Sequence, residues 1–294
     1  MKKILLATDG SKSAQYAAEF LAHLPHDETI ELTVVSALYV PGASKAHLGN
    51  WVESCLASER KIARQAFEAV EQVFAGADVR VKSVVREGHP AETIVAVARE
   101  VGPELLVMGA TGRSGVERML LGSTSDYAAT HAPCSVLVVR PTDGLGGSHP
   151  LRVAIAYEPS EPAQAALDEF AEFRWGTRTD VQVVSVVRAD DVVDQKRQSE
   201  AVDEAAGQLS VRGEKASGRI VKNDHVGEGL VDFAQVNDID LIVVGETPRT
   251  RLSRMLLGSM TRFVLRHANC GVWITRNRMI QSSHDEQPAL AEHP

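Results

Sequence analysis

Cysteine is scarce in this sequence, three residues in 294, and so few cannot frame a chain of this length with disulfides. The ten histidines and three cysteines show no CxxC or HExxH spacing, so no structural metal is expected. Long apolar runs are missing as well. The opening MKKILLA sets two lysines before apolar residues, but Asp9 ends that run too soon for the core of a secretion signal. No stretch approaches the ~20 apolar residues that a membrane helix requires. A basic excess is also absent: the net charge of −8 argues against a broad surface for nucleic acid or anionic lipid. Together these absences predict a cytoplasmic protein with neither nucleic acid nor membrane as partner.

What is present repeats itself. Residues 109–123 read GATGRSGVERMLLGS and residues 245–259 read GETPRTRLSRMLLGS, with the run from Arg118 to Ser123 recurring letter for letter from Arg254 to Ser259. Upstream, LLATDGSKSAQYAAEFLA (5–22) aligns with AIAYEPSEPAQAALDEFA (154–171) at an offset of 149. From the third strand onward the offset is 136, pairing His89 with His225, His131 with His267 and Cys134 with Cys270. The second copy is therefore shorter by 149 − 136 = 13 residues, lost between about residues 37 and 79. Copies of this size are whole domains, not solenoid repeats. Domains over 1–140 and 151–276 are expected, joined by the Gly- and Pro-rich linker 141–150 and followed by a disordered tail, 277–294. A hydrophobic content of 44% suffices for two cores of ordinary size. Cys134 and Cys270 read as small apolar fillers within them.

Each copy alternates strand and helix. In the first, KKILLAT (2–8), ELTVVSAL (31–38), VRVKSVVR (79–86), LLVMG (105–109) and SVLVVR (135–140) read as strands. Helical spacing marks 13–24, roughly 50–74, 90–101 and about 122–131. In the long helix, Leu56, Ile62, Ala63, Ala66, Phe67 and Val70 gather near one face. The second copy repeats the order with RVAIAY, DVQVVSVV, GRIVK, DLIVVG and GVWITR. Strand–helix alternation of this kind predicts an α/β fold: two tandem doubly wound domains, each a five-stranded parallel sheet with helices on both faces. Ligands in such sheets sit beyond the carboxyl ends of the strands where strand order reverses. The first strand ends at Thr8-Asp9-Gly10 and the fourth at Gly109, so adjacency of these two strands makes one crevice from their loops.

The pattern Gly-x2-Gly-x9-Gly-Ser at Gly109, Gly112, Gly122 and Ser123, the ATDGS opening and the segment REGHPAETI resemble the universal stress protein family, over nearly the whole chain. The resemblance implies an adenine nucleotide alpha-hydrolase-like fold and, in members with the complete loop, binding of ATP that carries Mg²⁺ on its own phosphates. It also implies that the last strands of the two copies pair, giving an internal pseudo-dimer with Trp273 in that contact or packed within its own domain. Carried across by position, Ala7, Thr8 and Asp9 close the first strand, Ala37 flanks adenine, and Met108 packs at the adenosine side or serves as core. Asp9 can accept from ribose hydroxyls, hold a neighbouring loop or cap the helix after it. Gly109, Thr111 and Gly112 offer backbone amides to phosphate. Gly122, Ser123, Thr124 and Ser125 open a helix whose free amides favour an anion. Arg113 and Arg118 are second-tier phosphate candidates, with solvated or domain-contacting side chains as the alternative. His89 and His225 read as helix-leading polar residues, with crevice lining as the alternative.

The second copy departs within this set. Thr8, Asp9 and Gly10 become Tyr157, Glu158 and Pro159, Gly112 becomes Pro248, and Thr124 becomes Met260. Nucleotide binding is therefore expected in the first half and lost or weak in the second. A regulatory protein is expected, acting through an unidentified protein partner and as a homodimer. The alternatives are a slow ATP-hydrolysing enzyme and a scaffold that binds no nucleotide. No GxxxxGK[ST] or SGGxDS loop supports ordinary ATP cleavage.

Overall fold

The computed structural model describes residues 1–25, 28–40, 49–113, 121–142, 149–173, 175, 179–246 and 257–276. Residues 143–148 of the expected linker, the whole tail 277–294, Arg118 and Pro248 lie outside the described residues. In the first half the elements run β1 (Lys3–Ala7), α1 (Lys12–Ala22), β2 (Ile30–Leu38), α2 (Gly49–Val73), β3 (Val79–Glu87), α3 (Pro90–Val101), β4 (Leu105–Gly109), α4 (Ser123–His131) and β5 (Ser135–Val139). The second half repeats them as β6 (Leu151–Ala156), α5 (Glu161–Phe170), β7 (Thr179–Val187), α6 (Val192–Val211), β8 (Lys215–Lys222), α7 (Val226–Val236), β9 (Leu241–Gly245), α8 (Ser259–His267) and β10 (Gly271–Thr275).

The duplicated sequence duplicates its local chemistry. Ser11 caps α1 by accepting from the Ala14 N–H at 3.2 Å, and Ser160 caps α5 through the Ala163 N–H at 3.4 Å. Pro90 occupies the first turn of α3, whose C-cap Gly102 is left-handed at φ 59. His89 and His225 are the N-cap residues of α3 and α7 and make no side-chain capping bond. Only β8 differs noticeably from its apolar run. It begins at Lys215, ahead of the Gly218 where periodicity starts, because pairing with β7 and the Lys215–Asp180 contact at 3.1 Å extend it.

Among the described residues ten strands form one sheet in the order β3-β2-β1-β4-β5-β10-β9-β6-β7-β8. Every pairing is parallel except the central one, where β5 and β10 run antiparallel with Trp273 opposite Leu137. The expected pseudo-dimer is thus a continuous sheet. Strand order reverses between β1 and β4, which pair directly. One face is covered by α1, α2, α5 and α6 over a core that includes Ile4, Leu6, Phe20, Leu137, Phe170, Phe173 and Trp273. The other is covered by α3, α4, α7 and α8 over Leu5, Ile94, Leu106, Met108, Val138, Leu230 and Ile274. Both cores cross the seam, so each half completes the other's burial.

Trp273 takes both of its expected roles. Its strand pairs across the seam, yet its ring packs on Phe170 and Phe173 of its own half, with centroids 6.3 and 5.7 Å away. Its indole N–H donates to Glu169 Oε1 at 3.1 Å, while Ser135 of the first half donates to Glu169 Oε2 at 2.8 Å. The seam also carries a reciprocal pair of arginines at the ends of the last strands. Arg140 donates to the carbonyls of Cys270 and Leu265, and Arg276 to those of Ala132, Cys134 and Ala129. Each therefore holds the carboxyl end of the helix in the opposite half, where carbonyls lack intrahelical donors.

Candidate functional site

The crevice beyond β1 and β4 is a cavity of about 650 Å³. Its wall gathers every residue singled out in the glycine pattern and around strand one: Ala7, Thr8, Asp9, Ala37, Met108, Gly109, Thr111, Gly112, Arg113, Gly122, Ser123, Thr124 and Ser125. Residues that sequence reasoning missed join them, namely Ala14, Val35, Tyr39, Glu59, Pro90 and Ile94. Val35, Ile94 and Met108 are buried and give one side an apolar surface. Met108 therefore serves the core and the cavity together.

Asp9 organises the opposite side. Its Oδ1 accepts from the Ser11 N–H at 3.0 Å, an Asx turn, and its Oδ2 accepts from the Arg113 N–H at 2.9 Å. Of the roles open to this carboxylate, holding the neighbouring loop is the one the structure displays; the helix cap belongs to Ser11. Ser13 extends the same anchoring through its hydroxyl, which accepts from the Thr111 N–H at 3.3 Å. Thr8 Oγ1 accepts from the Gly10 N–H at 3.3 Å. The loop that follows β4 is thus tied to the β1–α1 turn at two points before any ligand enters.

The glycines have different reasons. A Cβ on Gly109 would collide with Ser13, lying 2.6 Å from its carbonyl carbon and oxygen, so this glycine is required by the close approach of α1. The same close approach leaves Gly109 in the cavity wall. It also explains why Gly245 survives in the second half, where a Cβ would strike the Pro162 backbone. Gly112 lacks room for a side chain as well: a Cβ there would stand 2.7 Å from Asp9 Oδ2.

At the mouth of α4, Gly122 is the N-cap, and the first helical bond runs from the Asp126 N–H to the Gly122 carbonyl at 2.9 Å. The amides of Ser123, Thr124 and Ser125 precede that bond and project from the positive end of the helix. Ser125 is buried, and its hydroxyl donates to the Gly109 carbonyl at 2.9 Å, which fixes α4 to the end of β4. Its part in the wall is therefore its backbone and lone pairs.

Among the described residues, charge on the wall is sparse: Asp9, Glu59 and Arg113. Arg113 forms a two-pronged bond to Glu59, with Nη1–Oε1 at 3.1 Å and Nη2–Oε2 at 2.6 Å. That bond, assisted by the charges of Glu59 and Asp9 and opposed by burial, raises the Arg113 pKa. Glu59 had a signal in the sequence. It stands three residues after Leu56 and three before Ile62, a carboxylate within the apolar stripe of α2. Tyr39 left none; it packs edge-on against His89 with centroids 5.2 Å apart. In the second half, Tyr157 replaces Thr8 and donates to Gln164 Oε1 at 3.3 Å, with burial raising its pKa.

Among the described residues no helix is long and apolar enough to cross a membrane. The model of the universal stress protein family matches residues 1–140 and 151–276. A universal stress protein of Mycobacterium tuberculosis is 29% identical, covering 93% of this chain and 96% of its own. One from Methanocaldococcus jannaschii is 32% identical over 47% of this chain and 82% of its own. Among solved structures, a universal stress protein from Archaeoglobus fulgidus superposes with a TM-score of 0.67 at 16% identity, covering 94% of this chain and 96% of that one.

Proposed function

This chain belongs to the universal stress protein family, and on that premise we propose that its first half is a regulatory adenine-nucleotide site that takes ATP. The observation that carries the reading is the pairing, in one cavity, of an apolar wall with two sets of backbone donors. The wall of Val35, Ala37, Ile94 and Met108 suits a purine base. In the loop after β4 the amides of Ala110, Thr111 and Arg113 are taken by Val139, Ser13 and Asp9, so Gly112 and the first turn of α4 supply the amides and positive helix end for phosphate. Magnesium would come with the nucleotide and neutralise its phosphates, since it prefers phosphate and water to a protein cage.

The output is regulation and not rapid chemistry. The described wall carries a single cation, Arg113, already paired with Glu59, whereas phosphoryl transfer relies on cations aimed at the transferring group. A steady ATP turnover above roughly 1 s⁻¹, the low end of ordinary enzymes, would overturn the regulatory reading. A protein partner and a homodimer belong to the same proposal. Because β5 and β10 already cover one another, a homodimer must use a different face of the molecule.

The reading is tested by melting the protein with and without Mg-ATP. At a nucleotide concentration one hundred times Kd, linkage adds ~2.7 kcal/mol to the half that binds. Gly112→Pro, which presses a ring against Asp9 and removes an amide, should abolish the shift. An unchanged melting temperature in the parent protein favours the scaffold alternative.

A further inference from the structure

Glu59 is out of place for a residue on a packed helical stripe. The turn of α2 that follows it is firmly seated: Ala63 and Ala66 are buried, and the Cβ position of Gly10 lies 3.3 Å from Ile62 Cγ2 and 3.7 Å from Ala66 Cβ. That packing fixes Glu59 over the mouth of the cavity. There it grips the guanidinium of Arg113 with both oxygens, while the Arg113 backbone is held by Asp9. Arg113 is 41% exposed and Glu59 20%, so the pair stands at the lip, whereas Val35 and Met108 are buried at the floor.

We propose that Glu59 is a specificity-determining residue, withholding Arg113 from short ligands and surrendering it only to a polyphosphate that reaches the lip. The inference rests on the adenine-nucleotide reading above and adds to it a rule for phosphate number. With Arg113 engaged, the charged residues of the wall among those described sum to one negative charge, from Asp9 and Glu59 against Arg113. A nucleoside or monophosphate seated on the apolar floor meets backbone amides and leaves the ion pair intact. A triphosphate extends to the lip, where its terminal oxygens offer Arg113 the same two-pronged geometry that Glu59 supplies. Binding then exchanges one ion pair for another, and the strength of the first sets the discrimination.

The experiment is a double-mutant cycle read by calorimetry, with Mg-ATP and AMP as probes, on the parent chain, Glu59→Gln, Arg113→Ala and the double variant. Releasing the clasp should tighten Mg-ATP binding by about two- to fivefold, the worth of a partly exposed ion pair. It should leave AMP unchanged. Arg113→Ala should weaken Mg-ATP, and Glu59→Gln should then have no further effect in its absence. Arg113→Lys, which keeps the charge and loses the fork, should fall between parent and alanine. If Glu59→Gln improves Mg-ATP equally with and without Arg113, simple charge removal explains the gain and the clasp is refuted. An equal gain for AMP refutes it too. Absence of all adenylate binding in the parent overturns the nucleotide reading itself, and the clasp with it.

Discussion

Arg276 is the most demanding test of how the halves are joined. It is 9% exposed, and its guanidinium makes four hydrogen bonds. Nη1 donates to the carbonyls of Ala132 at 2.9 Å and Cys134 at 2.6 Å, Nη2 to that of Ala129, and Nε to Glu246 Oε2 at 2.6 Å. Arg276→Met keeps the stem and removes the donors. It strips the carboxyl end of α4 of its cross-seam partners and leaves Glu246, 15% exposed, without this cation. Breaking a buried pair of this kind costs about 3–5 kcal/mol, and bonds from a charged donor about 1.5–3 kcal/mol each, not additively. We expect a loss of ~3–5 kcal/mol. Urea unfolding followed by tryptophan fluorescence reads it well, because Trp175 and Trp273 are buried in the second half. Circular dichroism reports both halves together. The parent should unfold in a single transition, and the variant at lower urea with the two probes separating. A midpoint within ~1 kcal/mol of the parent, with the probes still coincident, would refute the claim that this arginine locks the seam.

Burial pushes the Glu214 carboxyl up from 4.5 to about 7, and among the described residues its Oε2 has no hydrogen-bond partner. A raised carboxylate value penalises the ionised fold, so stability should fall as pH rises from about 4.5 to about 7, by at most roughly 3 kcal/mol. Glu214→Gln should flatten that dependence; parallel urea midpoints for parent and variant at pH 5 and pH 8 would contradict it. Burial also lifts the Cys134 and Cys270 thiols to about 12, so native protein treated with iodoacetamide at pH 8 should gain one adduct, at Cys55, and intact mass showing three would refute their burial. Trp273→Phe keeps the aromatic packing and drops the bond to Glu169, which predicts a loss of about 1–3 kcal/mol; a larger loss in the urea midpoint would mean that ring shape, not the N–H, matters at the seam.

Much of this architecture is written in local pattern. Strand and helix order follow from apolar periodicity, and the crevice follows from β1 and β4 ending at one side of a parallel sheet. Internal repetition exposed the duplicated domains and made Arg140 and Arg276 visible as equivalents, since 276 − 140 = 136 is the offset of the later elements. Their reach across the seam was not legible, because no local signal tells which helix end lies opposite a strand in another half. The packing demand on Gly109 was hidden for a related reason. Its lost side chain makes room for Ser13, a contact of tertiary origin. Glu59 marked itself by interrupting an apolar stripe, but what it faces depends on how α2 crosses the cavity. Tyr39 reaches the wall from just beyond β2, where periodicity has ended.

The central claim is that the backbone amides of Gly112 and of the start of α4 hold a polyphosphate in the first half alone. Titrating the full chain with Mg-ATP in a calorimeter measures this most directly. The account predicts a stoichiometry near one nucleotide per chain, abolished by Gly112→Pro; two equivalent sites, or saturable binding that survives that substitution, would contradict it.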